Sequence, residues 1–245
     1  LRLNDEVRKI SGLFMIMLVV GMILVTPAMA CPAGKDCPNV SQNCPACGYL
    51  SAPKSDAEVN MIEISKEKEK KIIAEALSDE RISKLNSELK KLGYTPSTSE
   101  FNASMLTTTT TNETVTSSIV IMPFDNGRKN ESAVAVFTSN EHGSAAIAAM
   151  RNNSEVTLLE YDSVKGTFQV SSVDCDFCMW AVDKICGYLA EGGCAYACAQ
   201  LATKIPHPAW MAVSAAFCWV ICDFVLENYA CSWSATTVCQ EVGLC

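Results

Sequence analysis

Cysteine is distributed so unevenly along this chain that its distribution constrains the fold before any other feature is considered. Ten of the 14 cysteines lie between Cys175 and Cys245, within the last 71 of 245 residues, and the 127 residues between Cys47 and Cys175 contain none. The middle must therefore fold by ordinary apolar burial, whereas the tail is built to be cross-linked. Cysteine makes up about 14% of that tail, above the level at which an exported chain is expected to be a disulfide scaffold.

The spacing within the tail is helical. Cys175, Cys178 and Cys186 fall on one helical face, Cys194 and Cys198 are four apart, as are Cys218 and Cys222, and Cys231 and Cys239 are eight apart. Side chains three or four apart on a helix have Cβ atoms about 5–6 Å apart, whereas an unstrained bridge wants about 3.8 Å. The ten cysteines Cys175, Cys178, Cys186, Cys194, Cys198, Cys218, Cys222, Cys231, Cys239 and Cys245 are thus expected to form five bridges between helices, with the connectivity left open. Helices are predicted near 175–190, 194–204, 208–228 and 232–241, broken at Gly192-Gly193 and at Pro206-His207-Pro208. Zinc is disfavoured, because the pattern is not a repeated C-x2-C pair and the only histidine of the block, His207, sits between prolines.

The third of these helices is almost wholly apolar. It is expected either to be the central buried helix of a small domain or to leave that core for a bilayer. In the second case Trp210, Val213, Phe217, Trp219 and Val220 are the expected membrane contacts. Asp223 and Glu227 argue against a stable simple span.

The other end of the chain reads as an export signal over residues 1–30. Arg2, Arg8 and Lys9 precede an apolar run from Leu13 to Val25, and Ala28-Met29-Ala30 supplies a cleavage site before Cys31. The run is short for a membrane span of about 20 residues. Secretion is the expectation, with lipid anchoring through Cys31 as the alternative; a lipoprotein signal usually carries Leu where this chain has Ala28. Residues 31–55 are a Cys/Pro-rich linker with C-x5-C-x6-C-x2-C spacing, for which two local disulfides are a plainer reading than zinc.

Residues 56–173 are expected to be an α+β region. Residues 56–93 look helical, with Asp79-Glu80 after Ser78 as a helix start and Gly93 as a C-cap. Residues 95–112, rich in Thr and Ser, show no core pattern and are expected to be a connection. Alternating or β-branched runs at Thr114–Met122, Ala133–Thr138, Ala145–Met150, Val156–Tyr161 and Gly166–Val173, separated by turn-like segments, predict a meander of about five antiparallel strands. The fold class is therefore an α+β region, helices and then antiparallel strands, followed by a small disulfide-rich all-α C-terminal domain over 174–245. Their junction at Ser172 and Val173 is expected to be exposed and cleavable.

Five Asn-x-Ser/Thr triplets, at Asn39, Asn102, Asn112, Asn130 and Asn152, are candidate glycosylation sites upstream of the block. A net charge of −8 argues against nucleic acid. Nothing points to an enzyme. His142 and His207 are the only histidines, the cysteines are expected to be oxidised rather than thiolate nucleophiles, and no phosphate loop, HExxH or GxSxG elbow occurs. No cofactor or metal is expected.

The opening CDFCMWAVDKIC (C-x2-C-x7-C), the ending VCQEVGLC and the ten cysteines running to Cys245 resemble precursors of the halocin C-eight type (microhalocin-like) archaeal peptide bacteriocins. The resemblance covers mainly 174–245. It departs from the family pattern between Cys186 and Cys222, in a longer segment before Cys218, and in the four cysteines at 31–47. It implies a secreted precursor from whose C-terminus a cysteine-rich antimicrobial peptide is released, active on the membrane of target cells. It also implies that the upstream region is a propeptide and immunity-like partner of that peptide. The rival expectation is a saposin-like disulfide-bonded helical module that binds lipid or a partner and stays attached to an uncleaved extracellular protein.

Overall fold

The computed structural model describes residues 58–245, apart from Asn112, Lys129, Asn130, Asn153, Ser154, Ser172 and Tyr229. The expected signal at 1–30, the expected linker at 31–55 with its four cysteines, the sequons at Asn39, Asn112 and Asn130, and Ser172, the expected processing residue, lie outside the described residues.

A single antiparallel sheet forms the middle layer. Its strands are β1 (Glu58–Ile62), β2 (Thr95–Pro96), β3 (Asn102–Thr109), β4 (Thr114–Asp125), β5 (Glu131–Asn140), β6 (Gly143–Asn152), β7 (Glu155–Asp162) and β8 (Thr167–Ser171). The order across the sheet is β1-β3-β4-β5-β6-β7-β8, with β2 pairing to the end of β4. From β3 onward each strand pairs with the next in sequence, so local turns set the register. At the β4–β5 turn the Asp125 carboxylate accepts the Gly127 amide at 2.7 Å, and at the β5–β6 turn the Asn140 side chain accepts the His142 amide at 2.8 Å.

The five expected strands are all present. Two segments differ from the sequence reading. Residues 58–62, expected within a helix, form the edge strand β1, paired with β3. Residues 102–109, expected to be a connection, form β3. Threonine's branched Cβ suits a strand, and β3 buries Ala103, Leu106 and Thr108 while pairing on both sides. The hydroxyls of Ser104, Thr107, Thr108 and Thr109 hid that pattern from a search for apolar alternation.

Two helices, α1 (Lys66–Ser78) and α2 (Glu80–Lys91), cover one face of the sheet. Ser65 caps α1 and Asp79 caps α2, each accepting a backbone amide of the first turn. Gly93, at φ +93°, ends α2, with the Tyr94 amide donating to the Leu89 carbonyl and that of Gly93 to Lys90. Ile82, Leu85 and Leu89 pack here on Val120, Met122, Ala135 and Phe137.

On the opposite face lie α3 (Cys175–Ala202), α4 (Pro208–Asn228) and α5 (Ala235–Glu241). The described residues therefore form an antiparallel sheet with helices on both faces, the second set forming the all-helical C-terminal region. Alternation makes this possible: along β5, Ala133, Ala135 and Phe137 face α2, while Val134 and Val136 face the C-terminal helices.

Candidate functional site

The helical region starts at α3, capped by Asp174, whose carboxylate accepts the Phe177 amide at 2.7 Å. The helix is broken at Gly192-Gly193. Gly193 has φ +70° and ψ −169°, a conformation open to glycine, and a Cβ on Gly192 would lie 2.5 Å from Cβ of Tyr196. This kink makes two helical segments of α3, as the sequence predicted.

All ten cysteines of the region are paired: Cys175–Cys245, Cys178–Cys239, Cys186–Cys231, Cys194–Cys222 and Cys198–Cys218. Every bridge joins α3 to the chain that returns antiparallel to it, with Cys218 and Cys222 on α4, Cys239 on α5, and Cys231 and Cys245 in the segments flanking α5. The pairs are fully nested, first with last and fifth with sixth. No bridge reaches outside 175–245. Five disulfides belong to an oxidising, extracytoplasmic compartment.

Helix α4 occupies the centre, between the sheet and α3. Fourteen of its 21 residues are buried, which is why it shows no polar stripe: it is covered on nearly every side. It is also the one described helix long and apolar enough to cross a membrane. Of the expected membrane contacts, Trp210, Phe217 and Val220 are fully buried, while Val213 and Trp219 are partly exposed. Trp210 meets Phe177 edge-on with ring centroids 5.5 Å apart, and Phe217 lies 5.3 Å from the same ring. The structure brings these aromatic residues together as core.

The sheet face beneath α4 carries Ile121, Val134, Val136, Ile147, Ala149 and Leu158. Polar residues clasp both ends of the helix. At its start the Thr138 hydroxyl donates to the Pro208 carbonyl at 2.7 Å, Asn140 Nδ2 to that of Pro206 at 3.1 Å, and the Thr108 hydroxyl to that of Thr203 at 3.3 Å. At its end Arg151 of β6, fully buried, donates through Nη2 to Asp223 at 3.1 Å and to Glu227 at 2.7 Å. Its guanidinium carbon stands 5.4 Å from the Phe224 ring centroid. The two acidic residues that spoke against a simple span are thus the anchors that hold α4 to the sheet.

The turn between α3 and α4 carries His207. Burial first, and then the neighbouring positive field of His142, hold its imidazole below the ordinary histidine range. His142, at the β5–β6 turn, stands 3.4 Å from Glu113.

The remaining sequence candidates lie apart from this interface. Asn102 is half-buried at the start of β3 and accepts from the Ser104 hydroxyl at 3.3 Å; Asn152 is exposed at the end of β6. Val173 corrects the expectation of an exposed junction. It is 5% exposed and tucked into the core shared by the sheet and α3. The exposed part of the junction is β8, an edge strand in which Gln169 and Val170 face solvent. Among the described residues no group of His, Cys, Asp and Glu is disposed to hold a metal.

Sequence reasoning missed Arg151, Thr108, Thr138 and Asn140. Only Arg151 left a trace, in the form of two carboxylates four residues apart on an otherwise apolar helix, which call for a counter-charge. No family model, curated protein or solved structure matches the chain.

Proposed function

We propose that this chain is a secreted precursor of a cysteine-rich antimicrobial peptide of the halocin C-eight type, with residues 174–245 released from the C-terminus and the upstream α+β region serving as its immunity-like partner. One observation carries this reading. The helical block is covalently closed on itself by five bridges, none of which ties it to the sheet. A single cut in the connection from β8 to α3 would leave two pieces held by noncovalent contacts alone.

What the sheet covers fits the role of a restraint. Helix α4 has the length and composition of a membrane span, and its sheet-facing side is withheld while the two parts stay together. The block carries seven acidic residues against Lys184 and Lys204, a formal −5. Attraction to anionic lipid cannot drive its binding, so insertion rests on apolar burial at about 25 cal/mol per Å² and should persist in high salt.

Sharing of one core between sheet and block, together with the burial of Val173, favours the second reading, an uncleaved saposin-like module that binds lipid or a partner. Intact-mass analysis of culture supernatant separates the two. The precursor reading expects a free C-terminal fragment beginning near residues 170–174, and that fragment, purified, should depolarise membranes of sensitive cells. A product that is always full length from about residue 31 would refute it and leave the module.

A further inference from the structure

Arg151 is the only charged side chain that is buried among the described residues. Of its three nitrogens only Nη2 is paired; Nε and Nη1 have no hydrogen-bond partner. All the neutralisation it receives through hydrogen bonds comes from the C-terminal block, through Asp223 and Glu227. The exposure of the partners is unequal. Arg151 is 0% exposed, whereas the carboxylate side chains are 39% and 41% exposed. The carboxylates therefore keep much of their hydration with or without the arginine, but the arginine, once covered, has lost its own.

The remaining polar contacts of the face are of another kind. Thr108, Thr138 and Asn140 donate to the backbone carbonyls of Thr203, Pro208 and Pro206, and Asn140 Nδ2 also approaches Met211 Sδ at 3.9 Å, a weak contact with an uncharged acceptor. A backbone carbonyl is offered by any sequence, so these three set position without discriminating. The apolar residues of the face would accept any apolar helix of similar shape. Only the arginine demands a charged side chain opposite it.

We propose that Arg151 is the specificity determinant of the sheet face. It is a cation sunk in an apolar docking surface, which admits a helix carrying two carboxylates four residues apart, as Asp223 and Glu227 are, and rejects apolar helices without them. The rejection comes from the cost of covering an unneutralised guanidinium. The upstream region thereby recognises its own peptide and leaves other hydrophobic helices alone. This inference rests on the sequestering role proposed above.

The test uses the full, folded, oxidised chain with a specific protease site placed at residue 172. After cleavage, the rate at which the C-terminal fragment separates from the sheet is followed by size exclusion on dilution. Cut wild-type protein should stay associated. Removing both carboxylates, Asp223→Asn with Glu227→Gln, should speed release on the order of 100-fold or more, because a buried charge is left unpaired. Arg151→Met should stay within about tenfold of wild type, since it removes the charge and its desolvation together. Adding Arg151→Met to the double variant should restore slow release. If the double variant does not fold, Glu227→Gln alone should give an intermediate acceleration. Release from the carboxylate variants within a few-fold of wild type, or no rescue by Arg151→Met, overturns the proposal while the sequestering role stands. Wild-type fragments that part at once and do not rebind sink the sequestering role, and the proposal with it.

Discussion

Loss of the outermost bridge, Cys175–Cys245, gives a clean test of the nested pairing. Cys245 is exposed and Cys175 only half-buried, so replacing both with Ala leaves little cavity and the effect is that of the lost cross-link. Taken alone, a loop closed over a separation of 70 residues stabilises by about 4.4 kcal/mol in the chain-entropy account. In a nest, Cys178–Cys239 has already closed all but the short arms outside it. The outer bridge then closes an effective ring of about nine residues, worth roughly 2.6 kcal/mol by the same relation. Urea unfolding of the oxidised chain, wild type against Cys175→Ala/Cys245→Ala, should therefore show a loss near the smaller figure. A loss near the larger one would refute the nest, because the inner bridges could not then be in place to shorten the loop.

Four further outcomes follow from the structure. Mass spectrometry of the unreduced chain should find no alkylatable thiol among the ten C-terminal cysteines. Gly193→Ala forces a side chain into a backbone conformation open to glycine and should cost about 1–3 kcal/mol in thermal unfolding, with all bridges retained. Because His207 is held below its ordinary range, the unfolded chain binds the extra proton first as pH falls, so stability should decline from about pH 6.5 downward. His207→Asn should flatten that decline, and an unchanged profile would assign it elsewhere. If residues 174–245 are released as proposed, Val213→Asp, at a partly exposed position on α4, should leave the full chain folded and abolish killing by the fragment; unchanged killing would point to a protein receptor.

Much of the fold was legible because it is written in local signals. Asp79 and Gly93 delimit α2, Gly192-Gly193 kinks α3, and alternation marked β4 to β8. Segments β1 and β3 escaped because their identity as strands depends on each other: Met61 faces Leu106 across a pairing of distant residues. That the cysteines would pair between helices followed from their spacing. Which would pair did not, since ten cysteines allow about 945 connectivities and the choice depends on how α4 lies against α3. The interface was the least legible part. Asp223 and Glu227 were visible as an anomaly, but the partner is one of 19 basic residues, and only the register of β6 against β5 turns Arg151 inward.

The order of the bridges has a consequence for how the block acquires them. Read along the chain, the first five cysteines behave as opening brackets and the last five as closing ones, each closing the most recent bracket still open. For a chain threaded N-terminus first into an oxidising compartment, Cys218 arrives to find Cys198 as its nearest free partner, Cys222 then finds Cys194, and so on outward. Provided the first five cysteines stay unpaired among themselves, as the helical spacing of Cys175 with Cys178 and of Cys194 with Cys198 favours, loop-closure entropy favours the nearest free partner at each closing step, and among the ten that partner is the native one. Vectorial entry would then write the correct pairing, last in and first matched.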